Sequence, residues 1–325
     1  MFDKGIIAKL KQKGLTGRGG AGFPTWQKWE AVKNIQADKR YIVCNASEGE
    51  PFILKDKYIL ENYPEEVIYG LKIALKAIPK SEAIIYLNEF YYQQFKNKLE
   101  KLIAASPITL FSKPGGYLKG EETTLLNIIE GEKAEPRVKP PYPTEKGLWG
   151  KPTLINNVET FYWISKIAKN EYQGHRFYSI EGEVKNRGVF ELPETYTIKQ
   201  ILEQTGNYPN FSFFLQVGGG ASGAIMTPNE LDQPIKGAGA ILVFNKQNTD
   251  PLQLMAGWAE FFIRENCDQC TPCREGVYRL KEALAKGEIK KEAIDEVLLA
   301  LEKTSFCPLG KSISTPFKTA LQKLF

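Results

Sequence analysis

Gly14-Leu15-Thr16-Gly17-Arg18-Gly19-Gly20-Ala21-Gly22-Phe23-Pro24-Thr25-Trp26-Gln27-Lys28-Trp29 is the stretch whose reading decides the fold. Five glycines fall within nine residues, with Arg18 and Lys28 flanking the core of the run. Glycine has the most backbone freedom to lose on folding. Such a run marks a loop that needs unusual φ/ψ, or a backbone that must approach something closely. Exposed N–H groups beside two cations suit a phosphate or an anionic ring edge. A flexible linker would also be glycine-rich, but Phe23, Trp26 and Trp29 count against one. Gly17-x-Gly19-x-x-Gly22 spells the dinucleotide fingerprint as well, which requires a buried strand just before it. Here the polar Lys9-Leu10-Lys11-Gln12-Lys13 precedes the glycines, and the first good strand, Tyr41-Ile42-Val43-Cys44-Asn45, follows them. The loop suits phosphate without being an ordinary Rossmann turn.

Outward from the loop, residues 1–13 read as an amphipathic helix and Trp26–Asn34 as the helix leaving the glycines. The strand at Tyr41–Asn45 shows little polar alternation, as when both faces are covered. It ends in Asn45-Ala46-Ser47-Glu48-Gly49-Glu50-Pro51, where an open α/β sheet binds ligands; a capped turn with helix-start charges is the alternative. Asn62–Pro79 reads as a helix, Ala83–Asn88 as a second strand and Tyr91–Ala105 as a helix. This order implies a parallel sheet. Gly115-Gly116-Tyr117-Leu118-Lys119-Gly120-Glu121-Glu122 leads into a helix whose first turn carries the two glutamates. Arg137–Pro143 reads as a rigid extended segment. Asn156 and Asn157 sit where a loop turns into a helix over Val158–Ala168, placed to cap it or to bind a phosphate or sugar. From about Phe177 to Asn245, short β-rich runs surround one helix at Ile198–Thr205, an α+β domain. Gly218-Gly219-Gly220 reads as a turn. His175, the sole histidine, reads as part of a polar loop without a role.

The chain is helical from Leu252 and carries the strongest chemical signal there. Cys267-x-x-Cys270-x-x-Cys273 is followed, after 33 intervening residues, by Cys307-Pro308. Three thiols at this spacing with a distant fourth before proline resemble a [4Fe–4S] ligand set. Structural zinc, which favours paired C-x₂-C or histidine ligands, is the competitor. Cys44, on a buried strand, reads as an inert core thiol. The totals set bounds on the class of protein. The 325 residues suffice for two or three domains. A net charge of +5 is too mild to imply nucleic acid. No apolar run reaches the length of a membrane helix and no signal peptide is evident. We therefore expect a cytoplasmic protein without direct membrane insertion, whose five cysteines serve metal or redox chemistry.

Taken together, these motifs resemble the NADH-binding, FMN-containing flavoprotein subunit of the complex I type (the 51-kDa-type subunit), also found in NAD-linked hydrogenases and formate dehydrogenases. The matching pieces are Gly17–Thr25 with Lys28-Trp29, Cys44-Asn45-Ala46-x-Glu48-x-Glu50-Pro51 with Lys55-Asp56, and Gly120-Glu121-Glu122-Thr123. To these add Pro136-Arg137-x-Lys139-Pro140-Pro141, Gly150–Thr153 with Asn156–Thr160, and the cysteines. The resemblance implies an α/β fold in three parts. Residues 1–170 would form a Rossmann-like FMN/NADH domain, 175–247 a β-grasp-like domain and 252–325 a helical [4Fe–4S] domain.

It further implies hydride transfer between NAD(H) and FMN, with single electrons leaving through the cluster. The implied cofactor residues are Gly17, Arg18, Gly19, Gly20 and Gly22 around the flavin, with Lys28, Asn45, Tyr117, Gly120, Glu121 and Glu122 beside it. Asn156, Asn157 and Thr160 would hold ribityl or phosphate, and Phe23, Glu48 and Glu50 complete the nucleotide side. No catalytic acid is required. Partners would be a [2Fe–2S] thioredoxin-like subunit and a larger iron–sulfur subunit, with the complex peripheral on the inner face of the membrane. The chain departs from the family pattern at Ala31, Asn88-Glu89-Phe90-Tyr91, Lys119 and Tyr142. It also has Ser47 where a carboxylate is usual, which leads us to expect weaker discrimination between NADH and NADPH. The other function class consistent with the sequence is a non-catalytic electron-carrying or structural subunit that keeps the cluster but not the nucleotide.

Overall fold

The computed structural model describes residues 5–285 and 291–325. Residues 1–4 of the expected first helix and 286–290 of the helical C-terminal part lie outside the described residues. The chain divides into two compact units: residues 1–49 with 54–177, and 50–53 with 178–325.

In the first unit, α1 (Ile6–Lys13) stops at Gly14, whose φ of 65° lets its N–H turn back to Leu10 and Lys11. After the glycine loop come α2 (Thr25–Asn34), β1 (Arg40–Ala46), α3 (Lys55–Asn62), α4 (Pro64–Ala77), β2 (Ser81–Asn88), α5 (Glu89–Ile103), β3 (Ile108–Lys113), α6 (Thr124–Glu130), β4 (Thr153–Asn157) and α7 (Val158–Ala168). The four strands are parallel in the order β3-β2-β1-β4. Successive strands run outward from β1 to β3, and the chain then returns to place β4 on the other side of β1. The order therefore reverses between β1 and β4, and beyond the strands' C-terminal ends this leaves the crevice where open α/β sheets take ligands. One sheet face, with Val43, Ile84, Tyr86 and Ile155, packs on Leu125, Leu126 and Leu148.

Several expectations need correction here. The helix expected over Asn62–Pro79 is α4, which starts at Pro64, a residue that needs no N–H partner there; Tyr63 leaves helical geometry (φ −137°, ψ 39°) and separates it from α3, a helix the sequence reading did not expect, which ends at Asn62. Asn156 and Asn157 end a strand instead of a loop. Glu121 and Glu122 precede α6 and do not lie in its first turn. Arg137–Pro143 bends at 139–141, where Lys139–Pro140 and Pro140–Pro141 are cis. His175 opens a strand and is not in a polar loop.

In the second unit, the strands are β5 (His175–Gly182, beginning at the end of the first unit), β6 (Gly188–Pro193), β7 (Phe213–Val217), β8 (Ala224–Met226) and β9 (Ala240–Asn245). They form a mixed sheet in the order β6-β5-β9-β7-β8, parallel between β5 and β9 and antiparallel from β9 to β7 and from β7 to β8. Helix α8 (Ile198–Gln204), started by a Thr197/Gln200 capping box, buries Ile198, Ile201 and Leu202 against it. Among the described residues five helices follow: α9 (Pro251–Glu265), α10 (Thr271–Ala285), α11 (Lys291–Thr304), α12 (Pro308–Ser312) and α13 (Ser314–Lys323). Trp258 and Phe317, ring centroids 5.7 Å apart, join α9 to α13 edge to face. Among the described residues, no helix is long and apolar enough to cross a membrane.

Candidate functional site

The first unit concentrates the expected cofactor residues at the β1/β4 switch point. Asn45 and Asn157 are register partners on these strands, and the glycine loop comes down beside them. A Cβ built on Gly19 would lie 3.4 Å from the Asn157 Cβ. The loop is pinched at its base: Thr16 bridges Pro24, the Gly17 N–H donates to Phe23 O at 2.8 Å, and the Thr25 N–H donates to Leu15 O at 3.0 Å. Gly20 (φ 111°) and Gly22 (φ 63°) take conformations that side-chain-bearing residues avoid. A Cβ at either would meet nothing within 4 Å, so the loop is open on that side. Phe23 is 46% exposed, with Lys28 Nζ 5.9 Å from its ring centroid.

Arg18 departs from the expectation of a cation facing a phosphate. It is buried; its N–H donates to Thr160 Oγ1 at 3.0 Å and its Nη2 to the Tyr172 hydroxyl at 3.2 Å. Its charge helps to hold Glu159, so it faces into the protein. Thr160 is likewise wholly buried.

Around the crevice the polar groups are fixed by one another. Asn45 Nδ2 donates to Gly120 O at 2.9 Å, while its Oδ1 accepts from the Ser47 N–H and hydroxyl. Glu121 Oε2 accepts the N–H groups of Thr123 and Thr124, each at 2.9 Å, which serves the free donors at the start of α6. Its Oε1 meets Lys139 Nζ at 3.0 Å, and Glu122 lies between Lys139 (2.7 Å) and Lys28 (3.1 Å). Burial works to raise the Glu122 carboxyl, but Lys28 and Lys139 outweigh it and keep Glu122 below the ordinary range. Tyr117 starts the short 3-10 turn at Leu118–Gly120 that carries this wall.

Beneath the crevice lies a buried ionic network. Lys55, 2% exposed, reaches Asp56 at 2.7 Å, Glu159 at 3.3 Å and Asn157 Oδ1 at 3.1 Å. Asn157 also caps α7 through the Glu159 N–H and donates to Asp56. Glu159 accepts from Trp163 Nε1 at 3.1 Å and from the Phe177 N–H at 3.0 Å. Burial works to raise Glu159, yet the charges of Lys55, Arg176 and Arg18 hold it below the usual carboxylate range. Glu48 accepts the first N–H groups of α3, from Asp56 at 3.0 Å and Lys57 at 3.2 Å, and the Tyr91 hydroxyl at 2.8 Å. Burial, with the Asp56 charge adding to it, pushes the Glu48 carboxyl up to about 8.

Lys55, Asp56, Tyr91 and Lys139 were given no role by sequence reasoning. Their signal was position alone: Lys55-Asp56 and Lys139 sit inside the motifs that carry the resemblance, and Tyr91 in a departure from it.

Glu50 belongs to the second unit. Its Oε1 accepts the N–H groups of Ala221 (3.2 Å) and Ser222 (2.8 Å) and the Ser222 hydroxyl (2.7 Å). A Cβ on Gly219 would collide with this carboxylate, so the triple glycine is a close-approach site as well as a turn. The backbone donors explain why no cation is needed there.

In the same unit, Cys267 lies in the turn after α9, Cys270 just before α10, Cys273 in the first turn of α10, and Cys307 at the N-cap of α12. Cys273 and Cys307 are buried. Burial, then the neighbouring thiols Cys270, Cys307 and Cys267, push the Cys273 thiol up to about 12. Cys44 is buried in β1, where burial pushes its thiol well up and keeps it unreactive. Among the described residues, no three or more His, Cys, Asp or Glu side chains are placed to hold a single metal ion.

Both expected groups fit what the chain offers. Asn156 Oδ1 is a buried acceptor with no bonding partner among the described residues, at the crevice where the open glycine loop lies. The cysteine site offers four sulfurs, one for each iron of a cuboidal cluster. A separate cleft of about 450 Å³ opens beside Tyr41, Glu82, Thr109 and Trp149, toward the N-terminal part of the strands. That is the opposite end from the ligand crevice of a parallel sheet.

Comparison with known proteins supports the same two groups. Residues 10–166 match the model of the Nuo51 FMN-binding domain, and residues 253–324 match the NADH-ubiquinone oxidoreductase-F iron–sulfur binding region. The chain is 36% identical to the NADH-quinone oxidoreductase F subunit of Aquifex aeolicus, an alignment covering 99% of this chain and 85% of the relative. It is 32% identical to the F subunit of Escherichia coli over 98% of this chain and 82% of the relative. A solved NAD+-reducing [NiFe]-hydrogenase in its H2-reduced state superposes with a TM-score of 0.90 at 30% identity. That match covers 98% of this chain but only 61% of the hydrogenase chain.

Proposed function

The chain belongs to the family of the NADH-quinone oxidoreductase F subunit, and on that premise we propose that it is the NADH-oxidising flavoprotein subunit of a multisubunit redox complex. When bound, FMN accepts the two electrons of a hydride and releases them singly, and the [4Fe–4S] cluster carries them one at a time. The carrying observation is that one chain holds both an open glycine loop at a sheet switch point and a four-cysteine site. The family's iron–sulfur region favours the cluster over zinc for those cysteines.

Within this reading, Gly20 and Gly22 admit the flavin by leaving its side of the loop bare, while Gly17 and Gly19 let the loop close against Phe23 and Asn157. Asn156 Oδ1 supplies an unused acceptor, and the mutually fixed Glu121, Glu122, Lys28 and Lys139 keep the wall rigid. Arg18, Asn157, Thr160 and Glu48 act from beneath, holding the loop and strand ends in place. Phe23, exposed at the loop mouth, is the side chain offered to the nicotinamide nucleotide, with Tyr117 on the facing turn. Glu50 holds its own segment on the Gly219–Ser222 backbone. Cys267, Cys270, Cys273 and Cys307 hold the cluster.

The three-part division at 1–170, 175–247 and 252–325 follows the flavin, β-grasp-like and cluster roles. The [2Fe–2S] thioredoxin-like subunit and the larger iron–sulfur subunit remain our proposal for partners, in a cytoplasmic complex. Stopped-flow mixing of the anaerobic, FMN-loaded chain with NADH tests the function. Flavin bleaching within the mixing experiment supports it. A flavin that stays oxidised with NADH while dithionite bleaches it would leave the non-catalytic, electron-carrying reading.

A further inference from the structure

We propose that the Ser305 hydroxyl donates a hydrogen bond to a sulfur of the cluster held by Cys267, Cys270, Cys273 and Cys307, and so raises its reduction potential. The inference rests on the cluster reading above and adds a residue to it.

Ser305 directly follows α11 and is 4% exposed. Its Oγ is buried and bonds no other atom of the described residues. Serine and threonine at a helix end commonly turn the hydroxyl back on the preceding turn, as Thr304 does to Ala300 O at 2.6 Å. Ser305 does not. Buried hydroxyls without a partner are rare and costly, so this donor points to a partner outside the polypeptide.

Its position says which. A Cβ built on Gly310 would lie 2.5 Å from Ser305 Oγ and 3.3 Å from Cys273 Cβ. The hydroxyl and the cysteine therefore face one another across that glycine, less than about 6 Å apart by those two distances. Gly310 sits in α12, whose N-cap is Cys307. Two cluster ligands and the unpartnered donor thus converge on one residue that has no side chain to separate them.

Reduction adds one electron whose charge spreads onto the cluster sulfurs. A fixed O–H dipole aimed at a sulfur stabilises the reduced form more than the oxidised one, and burial strengthens the effect. The hydroxyl keeps its proton throughout.

The test is an EPR-monitored redox titration of the cluster-loaded full chain, comparing wild type with Ser305→Ala, Ser305→Thr and Gly310→Ala. Ser305→Ala should keep its iron and sulfide yet need a lower potential for half-reduction. The expected change is a three- to tenfold fall in the reduced-to-oxidised ratio at fixed potential, tenfold being about 59 mV for one electron. Ser305→Thr, which keeps a hydroxyl, should titrate near wild type. Gly310→Ala, whose methyl displaces the hydroxyl, should fall as Ser305→Ala does, and it supplies the reading if that variant fails to load. Pulsed EPR in D2O should show an exchangeable deuteron coupling that Ser305→Ala lacks. A loaded variant lacking the hydroxyl contact but titrating at the wild-type potential would overturn the proposal and leave the cluster reading standing. Wild type without iron and sulfide would overturn the cluster reading, and this proposal with it.

Discussion

Replacing Lys55 with methionine should unfold the first unit far more readily than its surface charges do, and by an amount that depends on pH. The ammonium is 2% exposed and lies 2.7 Å from Asp56 and 3.3 Å from Glu159. At an effective dielectric of about 20, the two contacts are worth roughly 5–6 kcal/mol each before the cost of taking the charges out of water. Removing only the lysine leaves that cost in place for two carboxylates, which experience with buried pairs puts at about 3–5 kcal/mol. At about 2–4 °C per kcal/mol for a unit of this size, Tm should fall by roughly 6–20 °C.

The pH dependence follows from the same geometry. Burial pushes Asp56 up even in the native protein, and Lys55 opposes it. Glu159 is held down partly by Lys55. Without the lysine, Asp56 rises further above its unfolded value and Glu159 is held down less firmly, so the folded state holds extra protons and loses stability as pH rises through that window. The penalty of Lys55→Met should therefore be smaller at about pH 5 than at about pH 8. Far-UV CD melting of wild type and variant in the same cofactor state measures both. Lys39→Met, which breaks the exposed 2.9 Å pair with Glu82, is the control and should leave Tm almost unchanged, because solvent screens an exposed pair. A Lys55→Met penalty no larger than that of the control, or one identical at the two pH values, would refute the reasoning.

Gly20→Val should lose FMN, because φ of 111° excludes a β-branched residue and its side chain would fill the open side of the loop. Its iron and EPR signal should persist, and normal flavin content after gel filtration would reject the loop assignment. Cys307→Ser should lose most of the roughly four irons expected per chain, whereas Cys44→Ser, inside β1, should keep them; iron and sulfide analysis reads both. Ser47→Asp should weaken FMN binding without changing the NADH/NADPH ratio of kcat/KM. Ser47 donates to Asn45 in the turn, and a Cβ on Gly120 would come within 2.5 Å of its hydroxyl, so an added carboxylate pushes on the wall of the crevice. A ratio that moves toward NADH would restore Ser47 to the nucleotide side.

The parts legible in the sequence are those where one residue type has one common cause. Tyr41–Asn45 reads as a buried strand because nothing polar interrupts it, and the spaced cysteines read as a ligand set because thiols at that spacing have few other uses. Strand β4 was hidden: Lys151-Pro152 precede it and two asparagines end it, so it looks like a loop until pairing with β1 supplies the missing hydrogen bonds. Strand β3 is an edge strand with mixed burial and no strong periodicity. Helix α3 carries a lysine and an aspartate in its first turn that are buried only because Glu159, Glu48 and Asn157 surround them. Lysine and aspartate are ordinarily exposed, so no local pattern announces that network. Arg18 misled for a related reason. A cation in a glycine loop suggests phosphate, but Tyr172, more than 150 residues on, and buried Glu159 draw it inward. The Glu50 contact with Ala221 and Ser222 is equally nonlocal, and glycines 218–220 show only that something comes close.

The central claim is a route from NADH through FMN to the cluster within this one chain. Rapid-freeze EPR after anaerobic mixing with NADH tests it most directly, using the chain with FMN and the same chain stripped of it. The account predicts a reduced-cluster signal in the FMN-loaded chain only, with dithionite producing that signal in both. A cluster reduced by NADH equally well without flavin, or never reduced by NADH although dithionite reduces it, would contradict the account.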